Sequence, residues 1–277
     1  MKQFFYIAGL PRTGSSVLCA ILNQNPKFHV STASPLSNIL YRITDDWRNY
    51  IDQVKTYSDR INETFDFRLR NLWLHIQEGL YAHVDEEIIF DKSRAWHMRD
   101  PLESYREIVG SEMKVICLVD SIPDILGSFI HLVERNKDLD NFIDNKLRED
   151  GAIINTENRC KILLDPEALG TVGWCFQNLK DSYFSINRKN LHLIERVDLI
   201  SKPEEVLKKL YLFIQEDYFP HEFFNLKATR EENDSIVYGM KNLHRVEAKL
   251  YHRRYNVEDV LGPELYQRFS GKEFWRV

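Results

Sequence analysis

The chain of 277 residues has 37 Lys and Arg against 42 Asp and Glu, a formal net charge of −5 and an isoelectric point near 6.0. That balance excludes a general nucleic-acid or membrane-surface binder, which needs a broad positive field, yet leaves room for one local anion pocket. Apolar residues make up 43%, with 16 Phe, 13 Tyr and 5 Trp, ample for one large core, while 11 Gly and 9 Pro exclude a collagen-like or disordered chain.

In chain order, Gln3 to Ala8 reads as a buried strand. Its apolar run is short and no small-residue cleavage site follows, so it is not read as a secretory leader. A turn over Gly9 to Ser16 leads into a helix from Val17 to Asn23, and Phe28 to Val30 is a second short strand. Residues 35–85 read as a helical insert with aromatic and charged faces, including Trp47, Trp73 and Tyr81, and this aromatic stretch is expected to form part of an acceptor pocket. Glu87 to Phe90 is a third strand, Met98 to Val109 a helix, Lys114 to Val119 a central strand and Pro123 to Arg135 a helix. Residues 138–165 are polar and read as a lid or insertion. Pro166 to Arg188 reads as a helix, Leu191 to Glu195 as the last strand and Pro203 to Gln215 as an amphipathic helix with Glu204 and Glu205 in its first turn. Apolar strands alternating with helices imply an α/β fold in three layers, a mainly parallel sheet flanked by helices, in a single domain over 1–277. No run approaches the length of a membrane span. Cys19, Cys117, Cys160 and Cys175 show no close metal-type pair, and the apolar surroundings of Cys19 and Cys117 suit reduced, buried thiols in a cytoplasmic protein.

The turn after the first strand, Gly9-Leu10-Pro11-Arg12-Thr13-Gly14-Ser15-Ser16, carries the chemistry. Gly9 and Gly14 have the glycine spacing of a nucleotide phosphate loop, whose backbone N–H groups and helix N-terminus surround a phosphate. Ser15 stands where a nucleotide triphosphatase needs Lys, and the cation has moved to Arg12 inside the loop. A triphosphate demands Lys and Mg²⁺, whereas a phosphosulfate carries less charge at the reacting centre.

Pro11 to Ser16 resembles the 5'-phosphosulfate loop of the sulfotransferases that use 3'-phosphoadenosine-5'-phosphosulfate (PAPS), with Arg12 where many members have Lys. Phe90 to Trp96 resembles a stretch of the tyrosyl-protein and carbohydrate-type members. Glu195 to Pro203 resembles the passage before the last amphipathic helix, and Asp234, Gly239 and His244 lie in a tail that also looks family-like.

The resemblance implies a P-loop-like sulfotransferase fold in which Pro11, Arg12, Thr13, Gly14, Ser15 and Ser16 hold the 5'-phosphosulfate. Ser128 matches the Ser that binds the 3'-phosphate. The Arg expected before it is Asp120, so His131, Arg135, Arg245, Arg253 or Arg254 would have to neutralise that phosphate. Lys92, at a strand's carboxyl end, is expected at the transferring group. Asp91 and His97 are the candidate bases, with Asp91 equally suited to orient Lys92 or Arg94, while His29 reads as a core histidine. Trp174 and Tyr183 are candidates to stack on adenine.

The expected reaction moves a sulfuryl group from PAPS to a hydroxyl or amine of a small molecule, glycan or peptide. It leaves 3'-phosphoadenosine-5'-phosphate (PAP) and needs no metal. A homodimer is allowed for. A P-loop kinase using ATP and Mg²⁺, and an inactive PAP-binding protein of the same fold, are the alternatives.

Overall fold

The computed structural model describes residues 2–55, 62–228 and 233–276. Five strands, β1 (Gln3–Gly9), β2 (Phe28–Val30), β3 (Ile88–Lys92), β4 (Val115–Val119) and β5 (Leu191–Glu195), form one sheet in the order β2-β3-β1-β4-β5. Every neighbouring pair is parallel. The register places Ile7 opposite Lys92 and Gly9 opposite Leu118, so β1, β3 and β4 end together at one edge.

The strands form because their runs are apolar on both sides, as a sheet covered on two faces requires. Along β1 the side chains alternate: Tyr6 and Ala8 enter one core, Phe5 and Ile7 the other. The second core is closed by helix α1 (Ser15–Leu22) and, much later, by α10 (Pro203–Ile214) through Leu207, Leu210 and Tyr211. The first core takes α2 (Leu36–Lys55), α3 (Asn62–Leu80), α4 (Arg99–Val109), α5 (Ile122–Arg135) and α8 (Val172–Tyr183).

Residues 138–165 are packed rather than draped. They fold into α6 (Phe142–Glu149) and α7 (Thr156–Leu163), whose Ile143, Cys160 and Leu163 enter the first core. Arg159 clamps the Asp144 carboxylate through Nε and Nη2 at 2.7 and 2.9 Å, fixing the two helices together. No residue of this stretch borders the cavity described below.

The expected helix over Pro166 to Arg188 is shorter. Gly173 lies so close to Leu164 that a Cβ would stand 2.0 Å from its carbonyl oxygen, and a 3-10 turn over Ile186–Asn190 replaces the last helical turn. After α9 (Arg196–Ser201) and α10, residues 233–256 cross the carboxyl edge of the sheet as a strap containing α11 (Asp234–Tyr238). The chain closes with α12 (Val257–Leu261) and α13 (Pro263–Phe269). The strap is anchored at both ends by glycine contacts. A Cβ on Gly239 would meet the Asp140 carbonyl oxygen at 2.0 Å, and one on Gly127 of α5 would meet Val257 at 2.7 Å. No helix among the described residues is long and apolar enough to cross a membrane.

Candidate active site

The loop between β1 and α1 is held from several directions. Gly9 has φ +121° and lies so close to β4 that a Cβ would stand 2.2 Å from the Leu118 carbonyl oxygen, so only glycine fits. Its N–H donates to His97 Nδ1 at 3.3 Å, while His97 Nε2 faces the Cys175 carbonyl oxygen at 3.0 Å. The ring therefore carries its proton on Nε2 and is neutral, and burial pushes it down to about 4. The Thr13 hydroxyl donates to the Leu10 carbonyl at 2.6 Å, tying the loop to itself. Gly14 is left-handed at φ +94° and opens α1, which has no side-chain cap and no carboxylate in its first turn. The first-turn amides of such a helix lack intrahelical partners and favour an anion.

Arg12 also has a left-handed backbone, φ +64°, uncommon for a residue with a side chain and characteristic of functional turns. Its Nε donates to Ser128 Oγ at 3.1 Å and its Nη1 to the Leu243 carbonyl of the strap, so the loop, α5 and the strap meet at one guanidinium. Burial lowers Arg12 to about 10, and the nearby Arg253 and Arg196 add to the shift, so it is still a cation at neutral pH.

The loop opens into a cavity of about 710 Å³ at the carboxyl edge of the sheet, where open parallel sheets gather their ligands. Among the described residues, ten Lys and Arg side chains line it against a single carboxylate, Glu247. In a chain of net charge −5 that is a strong local inversion, and it marks an anion site.

Pro11, Arg12, Gly14, Ser15, Ser16, Lys92, Ser128, Arg135 and Arg245 all border the cavity. Arg135 lies two turns along α5 from Ser128, on the same face with His131. Arg245 is paired with Glu247 at 3.1 Å, and more than half of its side chain is exposed.

Asp120 is turned to a constructive use. Its carboxylate accepts from Arg253 Nη2 at 2.7 Å, and Asp124 accepts from Nη1 of the same guanidinium at 2.8 Å. Burial raises Asp120 while Arg253 pulls it back. The strand end thus carries an acid that holds an arginine donated by the strap, and the cavity wall stays positive.

Other expected residues fall elsewhere. His97 is fully buried behind Gly9, and Asp91 is fully buried beneath Tyr81 and Trp96, so neither side chain reaches the cavity. Asp91 has no salt bridge to Lys92 or Arg94 among the described residues, and Arg94 instead donates to the Gly170 carbonyl at 2.7 Å. Trp174 and Tyr183 pack on the first core away from the cavity, with Arg188 over the Tyr183 ring at 4.4 Å. The aromatics that do border it are Tyr238, Tyr251 and Tyr255, the last stacked on His131 with ring centres 4.0 Å apart. Among the described residues the 47–81 stretch does not line this cavity, and its Trp73 instead closes a separate pocket of about 100 Å³ with Ser37 and Trp96. The sequence gives no role to Arg196, which stands directly after β5 and borders the cavity. Its position at a strand's carboxyl end was the available signal.

No family model matches the sequence, and no curated protein matches it. Solved structures do match. The sulfotransferase domain from the curacin biosynthetic pathway superposes with a TM-score of 0.50 at 17% identity, covering 79% of this chain and 76% of that one. The sulfotransferase from Alicyclobacillus acidocaldarius gives a TM-score of 0.45 at 17% identity, covering 84% and 87%. The sulfotransferase domain of the Synechococcus olefin synthase gives 0.46 at 15%, covering 97% and 94%. The likeness to the curacin-pathway domain shows the fold: a parallel sheet of five strands flanked by helices, of the sulfotransferase type.

Proposed function

We propose that this chain is a sulfotransferase that moves a sulfuryl group from PAPS to a hydroxyl or amine acceptor without a metal ion. The observation that carries the reading is the loop after β1, with one guanidinium inside it and an uncapped helix behind it, opening on a cavity that ten cations and one acid line among the described residues. The residues suit the donor. The amides from Arg12 to Ser16 match a 5'-phosphosulfate. Ser128, with Arg253 and Arg135 near it, suits the 3'-phosphate, and Tyr251 and Tyr255 offer aromatic faces for a base.

The bond that breaks joins sulfur to the bridging oxygen of the 5'-phosphate, and negative charge grows on that oxygen. Arg12 is placed to meet this charge from the loop, and Lys92 from the end of β3. No ion pair among the described residues engages Lys92. A single domain over residues 1–277 and a cytoplasmic setting are part of the same reading.

The test is thermal unfolding with PAP in the presence of a chelator. At a hundredfold excess over the dissociation constant, PAP should stabilise the protein by about 2.7 kcal/mol, and ATP with Mg²⁺ should shift it less. No shift with millimolar PAP would refute the reading, and a larger shift with metal-bound ATP would favour a kinase.

A further inference from the structure

Of the ten cations that line the cavity among the described residues, Arg245 is paired with Glu247, and Arg253 with Asp120 and Asp124. The other eight make no ion pair among the described residues. The donor proposed above brings about four negative charges, two on its 3'-phosphate and two along its phosphosulfate. Positive charge is left over once that donor is seated, and the sheet order locates the part of it that stands apart from the nucleotide.

The donor's 5' end belongs to the turn after β1, and its 3'-phosphate to Ser128 on the helix that follows β4. In the order β2-β3-β1-β4-β5 the nucleoside then runs from β1 toward β4, and the sulfuryl end points the other way, toward β3 and β2. An acceptor attacks sulfur on the face opposite the bridging oxygen, so it stands against the residues that follow β2 and β3. Those that border the cavity are Thr32, Ala33, Ser34, Lys92, Ser93 and Arg94. This wall holds two cations, no carboxylate among the described residues, and no apolar residue larger than alanine.

Lys92 is assigned to the transferring group, which leaves Arg94. It opens a 3-10 turn, Arg94–His97, that the Ser93 hydroxyl caps by accepting the Ala95 N–H at 3.4 Å. The Ser93 and Ser37 hydroxyls meet at 2.6 Å, tying the turn to α2. Trp96 and His97 are buried, and Arg94 is the one exposed residue of the turn. A fixed backbone thus presents a single guanidinium to the acceptor side. Its Nη1 donates to the Gly170 carbonyl at 2.7 Å, and its other N–H groups have no protein acceptor among the described residues. A guanidinium is a planar fork of donors that fits an oxyanion through two parallel hydrogen bonds.

We propose that the acceptor is a hydroxyl compound that also carries an oxyanion, a carboxylate or a phosphate, and that Arg94 holds this oxyanion while the hydroxyl faces sulfur. This rests on the sulfuryl-transfer reading above and narrows its substrate class. Arg94 determines specificity and takes no part in breaking the bond to sulfur. A neutral apolar acceptor finds no apolar surface on this wall to replace water, and an ammonium group placed there is repelled by Lys92 and Arg94.

The experiment uses the full chain saturated with PAP, after PAP binding has been measured for the wild type and each variant. Calorimetry then compares matched probes: para-hydroxyphenylacetate against its neutral amide, galacturonate against galactose, and glycerol phosphate against glycerol. At least one anion should bind the PAP complex about tenfold more tightly than its neutral partner, and the pair in which it does so separates carboxylate from phosphate. Arg94→Gln should bring that ratio to within about twofold, while Arg94→Lys keeps part of it and PAP affinity changes less than about twofold in both. Where an anionic probe is sulfated, Arg94→Gln should raise its KM about tenfold with kcat little changed, as loss of uniform binding does. Equal or undetectable binding of all the anions to the PAP complex overturns the inference and leaves the donor reading standing. A preference that survives Arg94→Gln, or a loss confined to kcat, overturns it too. A wild-type protein that binds no PAP overturns the donor reading, and the acceptor wall falls with it.

Discussion

Replacing Arg253 with alanine removes the cation from a buried pair of carboxylates. The guanidinium lies 2.7 Å from Asp120, whose side chain is 5% exposed, and 2.8 Å from Asp124, whose side chain is 35% exposed. Breaking a buried pair from one side typically costs about 3–5 kcal/mol, because a charge is left without its partner. Asp124 can turn to water, so the lower end applies, about 3 kcal/mol. For a chain of this size that is a fall in Tm of roughly 6–12 °C. The sign of the pH dependence follows from Asp120. Burial raises its pKa in the folded protein and Arg253 opposes that rise, so the variant's Asp120 titrates higher still. Protonation then relieves the buried charge. The deficit of Arg253→Ala is smallest in acid, grows as pH rises through the folded pKa and is complete at neutral pH. Adding Asp120→Asn should recover much of the loss. Calorimetric scans of the wild-type, single and double variants from pH 5 to 7.5 measure this directly. A Tm within about 2 °C of wild type at pH 7.5, or a gap that does not narrow in acid, would refute the reasoning.

Two further outcomes follow from the loop. Arg12→Ala should lower turnover at least a hundredfold, since losing one donor to a developing anion costs about 3 kcal/mol; steady-state rates with saturating PAPS check it, and near-unchanged turnover would remove Arg12 from the chemistry. His97 titrates at about 4 in the folded state against about 6.5 when unfolded, so its stabilisation is complete above pH 6.5 and is lost as pH falls toward 4. Urea unfolding across that window should show a loss of about 3 kcal/mol that His97→Gln abolishes, and an unchanged acid limb would contradict the buried, neutral assignment.

The strands are legible in the sequence because each is a continuous apolar run, and Phe28–Val30 and Leu191–Glu195 are read to the residue. The phosphate loop is legible for a similar reason. Its glycines, arginine and serines are contiguous, and local sequence dictates the turn. What escapes is set by long-range packing. Asp120 in isolation looks like a hostile charge, and only its pairing with Arg253, 133 positions away, makes it the anchor of a cation. Asp91 and His97 end or follow a strand as site residues do, yet the aromatic cover of Tyr81 and Trp96 and the contact with Cys175 take both out of the cavity. Residues 138–165 look polar, but Ile143, Cys160 and Leu163 suffice to bury one face of two short helices. Trp174 illustrates the converse: an aromatic at helical spacing belongs to the core, while the cavity takes its tyrosines from an irregular strap with no periodic signal.

The central claim is that a sulfated nucleotide sits with its 5' end in the turn after β1, and a crystal structure of the protein soaked with PAP tests it most directly. The account predicts the 5'-phosphate on the amides from Arg12 to Ser16 and the 3'-phosphate between Ser128 and the arginine held by Asp120. A turn left empty, or one that prefers a metal-bound triphosphate, would contradict it.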